Sequence, residues 1–336
     1  MPTAVRSEGV RMNTAIKTTT RCTACLLGFF LILLLAGCGQ TGNTPEKPSE
    51  AGKNRSLPSA LEEAGFGSIA KKVESMKRPC LMLLKAREEI KAPRGTSRIG
   101  GLPDLPHGVK WPKADGASLS FIAQINLTAF PDPARSLGLP AKGMLYFFYD
   151  PEQAAVGFDP RDRERWQVIY APAFPDSLEE AEFPDDLPED ARFHPKVVAP
   201  TLETSYPDPY QCDLAEFGLN GIKEDAVIRI WDEFGSPAEG AHKMLGWPDP
   251  VQTDTMRLEC QLASNGIYCE DASGYNDPRA RELEPGASDW ILLLQIDSDQ
   301  VTGMMWGDEG KLFYWIRKQD LAEKKFENVW VVLQSY

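Results

Sequence analysis

The sequence predicts an α+β domain whose mixed or antiparallel sheet is built from an internal duplication. Three observations lead there. Short apolar runs bounded by Gly, Pro and Asp recur along the chain, as buried strands do. Few stretches carry the spacing of a helix. Most telling, three pairs of segments match in the same order in two halves. "GLPD" (Gly101–Asp104) matches "GWPD" (Gly246–Asp249), "FIAQIN" (Phe121–Asn126) matches "LLLQID" (Leu292–Asp297), and "GMLYFFY" (Gly143–Tyr149) matches "GKLFYWI" (Gly310–Ile316). Each half runs from a Gly-Pro segment through a strand ending Gln-Ile-Asx to a loop and an aromatic strand.

Taken in order, Ser59 opens a helix as the first residue of the capping box "SALE", with Glu62 three positions on. Leu61, Ala64, Ile69 and Val73 continue it at near-helical spacing. Pro79 ends it, and "CLMLLKA" follows as a buried strand. The Gly and Pro density of "PRGTSRIGGLPDLPHGVKWPKADG" excludes long regular structure. "LSFIAQINL", "GMLYFFYD" and "WQVIYAP" are strands, and the eight acids between Asp176 and Asp190 mark a solvated loop. "KVVAPTLET" is a further strand. "IKEDAVIRIWDEF" places Ile222, Ala226, Val227, Ile230 and Phe234 at helical spacing, with Gly235 as C-cap. "MRLECQLASNGI" fits helix or strand. "DWILLLQID", "GKLFYWIRK", a helix over "QDLAEKKF" and a last strand "VWVVLQS" complete the chain.

The N-terminus reads as a targeting segment. Arg6, Arg11, Lys17 and Arg21 precede the apolar run "ACLLGFFLILLLAG" (Ala24–Gly37). That run is shorter than the roughly 18–20 residues of a spanning helix. It has the layout of a secretory signal. "LAGC" (Leu35–Cys38) resembles the lipobox of bacterial lipoproteins, in which the cut falls before the Cys and that Cys is lipidated. The expected organisation is a lipoprotein signal peptide over 1–37, a flexible tether over 38–58 and a folded domain over 59–336, with repeat halves at roughly 79–170 and 240–336. Cys38 is the expected lipidation site. The expected location is the cell envelope, with Gly39 after the Cys favouring the outer membrane by resemblance to Gram-negative lipoproteins.

Residues 1–37 hold four bases and one acid, so removing them from 36 bases and 49 acids leaves 32 and 48, a net charge of −16. Such a surface repels phosphate backbones, which disfavours nucleic acid as a partner. It also repels anionic head groups, so membrane attachment is expected through the lipid alone. Cys80, Cys212, Cys260 and Cys269 remain in the domain, with Cys260 and Cys269 the nearest pair. A domain of this size buries a core with or without disulfides, and both states stay open.

The chain as a whole resembles the YwqG-like bacterial proteins, a family filed as a domain of unknown function. The resemblance rests on "SRIGGLPDLPHGVKWP", "LSFIAQINL", "LPAKGMLYFFYD", "HKMLGWPDPVQ", "LECQLASNGIYC", "GYNDPRARELEPGASDWILLLQIDSD" and "MMWGDEGKLFYWIRKQDL", which span residues 79–336. It implies an α+β fold with internal duplication, no established activity and no accepted catalytic set. It makes an immunity-like or binding role the expectation. Members of the family generally look cytoplasmic, so the lipoprotein signal is a departure.

The sequence offers little chemistry. His107, His194 and His242 are the only histidines, all in or beside Gly/Pro segments, where a surface position is the ordinary expectation. No nucleophile elbow, phosphate loop or H-E-x-x-H motif is present. "DSDQVTGMMWGD" begins like a calcium loop but has Val301 and Thr302 where a ligand and a Gly are needed. No cofactor and no metal ligand set is expected, and no residue is assigned a catalytic role. The recognition reading fares better: Trp111, Trp247, Tyr275 and Trp306 fall in irregular Gly-rich segments. With Asp249, Gln252, Asp297 and Asp308 they form a candidate binding set, converging on a cleft between the repeats. The expected function is therefore a lipid-anchored, non-catalytic module for a protein partner. The alternative is an enzyme of unassigned class using that cleft.

Overall fold

The structure is a computed structural model that describes residues 55–86, 92–172, 177–212, 214–234 and 240–336. The expected signal peptide, Cys38 and nearly all of the tether lie outside the described residues, as does Gly235. Two helices come first, α1 (Leu57–Glu63) and α2 (Gly67–Met76). The N-cap of α1 is Ser56 rather than Ser59, its hydroxyl accepting from the Ser59 N–H at 3.4 Å. Leu57 and Pro58 are thus helical and not part of a tether, since Pro58 suits a first turn whose N–H groups are unpaired anyway. The expected single helix is broken at Gly65, whose φ of 87° only glycine adopts freely.

The strands follow: β1 (Arg78–Lys85), β2 (Arg98–Ile99), β3 (Asp104–Pro106), β4 (Lys113–Ala114), β5 (Ala117–Ser118), β6 (Ser120–Asn126), β7 (Met144–Tyr149), β8 (Trp166–Ala171), β9 (Leu178–Glu180) and β10 (Lys196–Ser205). After them come α3 (Ile222–Asp232), β11 (Lys243–Met244), α4 (Met256–Ala263), α5 (Ala272–Tyr275), α6 (Pro278–Leu283), β12 (Trp290–Asp297), β13 (Lys311–Arg317), α7 (Lys318–Glu323) and β14 (Trp330–Gln334). "MRLECQLASNGI" is therefore a helix, with Met256 and Cys260 one turn apart and both fully buried. The acidic stretch after Asp176 is not wholly loop, because β9 pairs with β3. On α3 the buried residues are Val227 and Trp231, whereas Ile222 is 84% exposed.

Ten strands form one antiparallel sheet in the order β14-β13-β12-β11-β1-β10-β2-β6-β7-β8. The long central pair runs from Arg78 opposite Ser205 to Lys85 opposite Val198. On either side the chain repeats one layout: a two-residue strand, then three longer ones. The short strands cross over, so that β2 pairs with β10 and β11 with β1. Each half also carries a register shift at the matching place, between Phe121 and Ala123 in β6 and between Leu292 and Leu294 in β12. Such shifts increase local twist, and the sheet curls until its two edge strands face each other. Trp166 on β8 and Trp330 on β14 meet with ring centroids 5.0 Å apart. Within the curl, Phe147 and Tyr314 pack edge-on at 5.1 Å.

The core inside the curl takes Leu81 and Leu83 of β1 together with Ile125, Leu145, Ile296 and Leu312. A separate apolar cluster holds α1, α2 and α3 together through Leu57, Leu61, Ile69, Val73, Val227 and Trp231. Cys80, Cys212, Cys260 and Cys269 are all buried free thiols. Among the described residues no helix is long and apolar enough to cross a membrane.

Candidate binding site

Glutamine on a central strand needs partners for a whole amide. Gln124 and Gln295 are fully buried, and each finds its partners in the Gly-x-Pro-Asp turn of its own half. In the first half Gln124 Oε1 accepts from the Asp104 N–H at 2.7 Å, and its Nε2 donates to Asp104 Oδ2 and the Thr96 carbonyl, both at 2.8 Å. In the second, Gln295 Oε1 accepts from the Asp249 N–H at 2.9 Å, and its Nε2 donates to Asp249 Oδ2 at 2.9 Å and the Ala241 carbonyl at 3.2 Å. A base on the short strand completes each node: Arg98 pairs with Asp104, and Lys243 pairs with Asp249 at 2.7 Å. One residue earlier the bonds also correspond. Ser97 Oγ accepts from the Asn126 N–H at 2.9 Å, and His242 Nδ1 accepts from the Asp297 N–H at 3.1 Å.

The two nodes differ in what lies beside them. Asp104 is fully buried, and strand β3, which it begins, is covered by β9. The Asp249 side chain is 27% exposed and opens on a cavity of about 490 Å³. The cavity lies over the central pair: Cys80, Met82 and Leu84 of β1 alternate toward it, while Leu81 and Leu83 point into the core. Lys243 sits opposite Met82 on one side and Gln295 on the other, so its position is fixed by two ladders. The turn after it needs Gly246, whose φ is 75° and where a Cβ would come within 2.4 Å of Ser205 Oγ. The helical cluster walls the far side through Leu57, Trp231 and Asp232.

Four carboxylates (Glu203, Asp208, Asp232, Asp249) and two lysines (Lys243, Lys311) line this space. Lys243 is already held by Asp249, so a net negative wall faces an occupant. Burial raises the Asp208 carboxyl, and the nearby Asp249 and Asp232 raise it further against one backbone N–H from Tyr210. Burial pushes the Cys80 thiol up to about 11, which keeps it protonated and a poor nucleophile.

A second buried ionic group lies nearby. Asp299 Oδ2 accepts from Lys196 Nζ at 2.7 Å and from His242 Nε2 at 3.0 Å. Burial alone would raise the Asp299 carboxyl, but these two bonds, with the Val301 N–H on Oδ1 and the Lys196 charge, outweigh it and hold it well below the usual carboxylate range. His242 is fully buried, a correction to the surface position expected of it. Both of its nitrogens are occupied, Nδ1 by the Asp297 N–H and Nε2 by Asp299. It has no lone pair free to take a proton from a substrate, and burial lowers its pKa.

Of the eight residues the sequence put forward, Asp249 alone lines this cavity. Trp306 is buried between Tyr149 and Phe193, at 5.9 and 5.6 Å, because its loop folds back onto the core instead of facing solvent. Trp247 is buried and donates to the Met76 carbonyl at 2.7 Å. Trp111 packs on Phe121 and Phe148 and donates to the Leu119 carbonyl at 2.8 Å. Asp297 is buried and accepts from the Ala241 N–H at 3.2 Å. Gln252 donates to the Ser335 carbonyl at 2.8 Å, and the Asp308 carbonyl accepts from the Tyr336 N–H at 3.1 Å, which places both beside the C-terminal strand. Tyr275 is 41% exposed and donates to Glu259 at 3.3 Å. Cys80, Lys243 and Lys311 were not singled out in the sequence. Extending the repeat match to "RIGGLPD" and "KMLGWPD" brings Arg98 and Lys243 into register and is the signal that points to the node.

The fold and site together define an α+β domain with a large, nearly closed antiparallel sheet and polar nodes buried within it. Residues 97–335 match the family described as a domain of unknown function (DUF1963), and the chain belongs to that family. No curated protein matches the chain.

Proposed function

We propose that the chain is a lipid-anchored envelope protein whose domain is a non-catalytic, protein-binding module, immunity-like or part of an envelope complex. The observation that carries the binding reading is the acidic cavity over β1 and β10. Asp249 is held at its wall by Gln295 and Lys243, Cys80 is quenched as a buried thiol, and the neighbouring His242, outside the cavity lining, is occupied by two hydrogen bonds. About 490 Å³ is within the range of ligand pockets, and acidic walls suit a Lys- or Arg-bearing segment of a partner. The anchor rests on "LAGC" at Leu35–Cys38. The net charge of −16 after cleavage supports attachment by lipid and no nucleic-acid partner.

We also read the domain as a duplicated, YwqG-like unit. Support comes from the paired nodes, the matching register shifts and the strand order, which reads alike from the central pair outward. An enzyme in the same cavity is the second reading, and the raised Asp208 carboxyl is the observation in its favour.

Glu203 and Asp232 are exposed at the cavity wall. Glu203→Lys with Asp232→Lys reverses the charge there without touching a buried bond. Capture of partners from solubilised envelope is expected to be lost in that variant, while membrane attachment persists. Unchanged capture contradicts the reading.

A further inference from the structure

A second cavity, of about 310 Å³, lies on another part of the molecule and has the opposite charge. Arg78, Arg257 and Lys318 line it, together with the apolar side chains of Leu245, Trp290 and Ile291. Both guanidiniums pack against one indole. The Arg78 carbon sits 3.5 Å from the Trp247 ring centroid, and the Arg257 carbon 5.2 Å from the same ring. Two like charges sharing one ring repel each other, and burial adds to the cost. Accordingly, burial first and Arg257 second lower the Arg78 guanidinium to about 10.

An acid is near but does not close the pair. Asp254 is the carboxylate that acts on both arginines, yet no ion pair within 4.0 Å joins it to either among the described residues. Arg257 keeps Nε and Nη2 buried with no hydrogen-bond partner, and Asp254 Oδ1 is likewise without one. Trp315, whose ring centroid is 5.8 Å from the Arg257 carbon, also has its indole N–H unpartnered. Buried donors on a charged fork are costly to leave unmade. Their planar geometry matches two oxygens of one oxyanion.

We propose that this cavity is a binding site for a small phosphomonoester dianion with an apolar body, held by Arg78 and Arg257 with Lys318 at its edge. Three cations against one acid leave two positive charges, which a dianion neutralises and a carboxylate only halves. Trp290, Ile291 and Leu245 receive the organic part. Lys318, tied to the Ser288 carbonyl at 2.9 Å, adds charge from the exposed side.

Titration calorimetry with phenyl phosphate, at fixed ionic strength in chloride, tests the proposal, with benzoate and inorganic phosphate as parallel arms. Saturable binding of phenyl phosphate is expected, weaker for inorganic phosphate and weakest for benzoate. Arg257→Gln and Arg78→Gln should each weaken it by about tenfold or more, since a charge-assisted bond contributes on the order of 1.5–3 kcal/mol. Arg257→Lys, which keeps the charge but not the fork, should fall between them and wild type. Lys311→Gln, in the other cavity, should change nothing. The absence of saturable binding to wild type overturns the proposal, as does binding left intact in both Arg78→Gln and Arg257→Lys. Benzoate binding as tightly as phenyl phosphate overturns the dianion assignment. Should Arg257→Gln not fold, Arg78→Gln and Arg257→Lys decide the matter in the same titration.

Discussion

Trp166 and Trp330 sit on the two outermost strands of the ten-stranded sheet, and their rings meet edge-on with centroids 5.0 Å apart at 76°. Each indole N–H crosses the seam to the other's neighbourhood: Trp166 donates to the Val329 carbonyl at 2.9 Å and Trp330 to the Gly157 carbonyl at 2.7 Å. The seam is thus closed by these two side chains together with one backbone bond, from the Leu333 N–H to the Val156 carbonyl at 3.2 Å. Trp166→Phe and Trp330→Phe each leave a carbonyl without its donor. Each should cost about 2 kcal/mol, from the unmade bond and the lost area. Because the rings touch, the double variant should depart from additivity by about 0.5 kcal/mol or more. Denaturant midpoints of the four proteins measure this.

Gly157 permits the same closure. Its φ is 92°, and a Cβ there would lie 1.9 Å from the Val331 carbonyl oxygen. Gly157→Ala should therefore destabilise by several times the roughly 1 kcal/mol of an ordinary glycine exchange, with the loss visible as a lowered thermal midpoint. A variant as stable as wild type would mean that the two edges are not held together.

The two buried nodes make an asymmetric prediction. Asp104→Ala strands Arg98 in a closed site, and breaking such a pair costs about 3–5 kcal/mol. Asp249→Ala strands the buried Lys243, but the vacated carboxylate position is 27% exposed on an open cavity and admits water in its place, so the loss should be smaller, about 1–3 kcal/mol. Chemical denaturation of the two variants compares them directly. Equal losses would show that the cavity does not hydrate the second node.

His242 gives a pH dependence with a definite sign. Burial holds its folded pKa below the ordinary value of 6.5, so the unfolded chain takes up a proton near that value and the folded chain resists it. Stability from this group is fully present above pH 6.5 and is lost as the pH falls below it. His242→Gln should flatten that part of the stability profile. A profile unchanged by the substitution would contradict the assignment.

Much of the fold was legible because its strands are bounded by Gly, Pro and Asp and nearly all their residues are apolar. β6, β7, β12 and β13 fall within a residue or two of where the pattern puts them. The start of α1 was misplaced because Ser56 and Ser59 both offer a capping hydroxyl, and Pro58 in the first turn decides for Ser56. The break at Gly65 went unseen because Leu61, Ile69 and Val73 keep their spacing across it. The site was less legible. Trp247 and Trp306 looked like loop aromatics, but a Gly-rich loop that folds back onto a core buries its aromatics as a strand does. Lys243 was hidden for the converse reason: a lysine on a two-residue strand carries no periodicity, and only its register with Arg98 marks it.

The anchor is tested at one residue. Cys38→Ser should release the protein from the membrane fraction and abolish incorporation of labelled palmitate. Retention of the variant in membranes after a high-salt wash would contradict lipid attachment.

Photocross-linking from position 84 in intact cells tests the binding module most directly. Leu84 is 44% exposed at the rim of the acidic cavity, so a photoreactive residue there is tolerated and faces whatever enters. The account predicts one discrete protein adduct, lost when Glu203→Lys and Asp232→Lys are added and retained when the phosphate-site change Arg78→Gln is added instead. No adduct from position 84, or an adduct indifferent to the charge reversal, would contradict it.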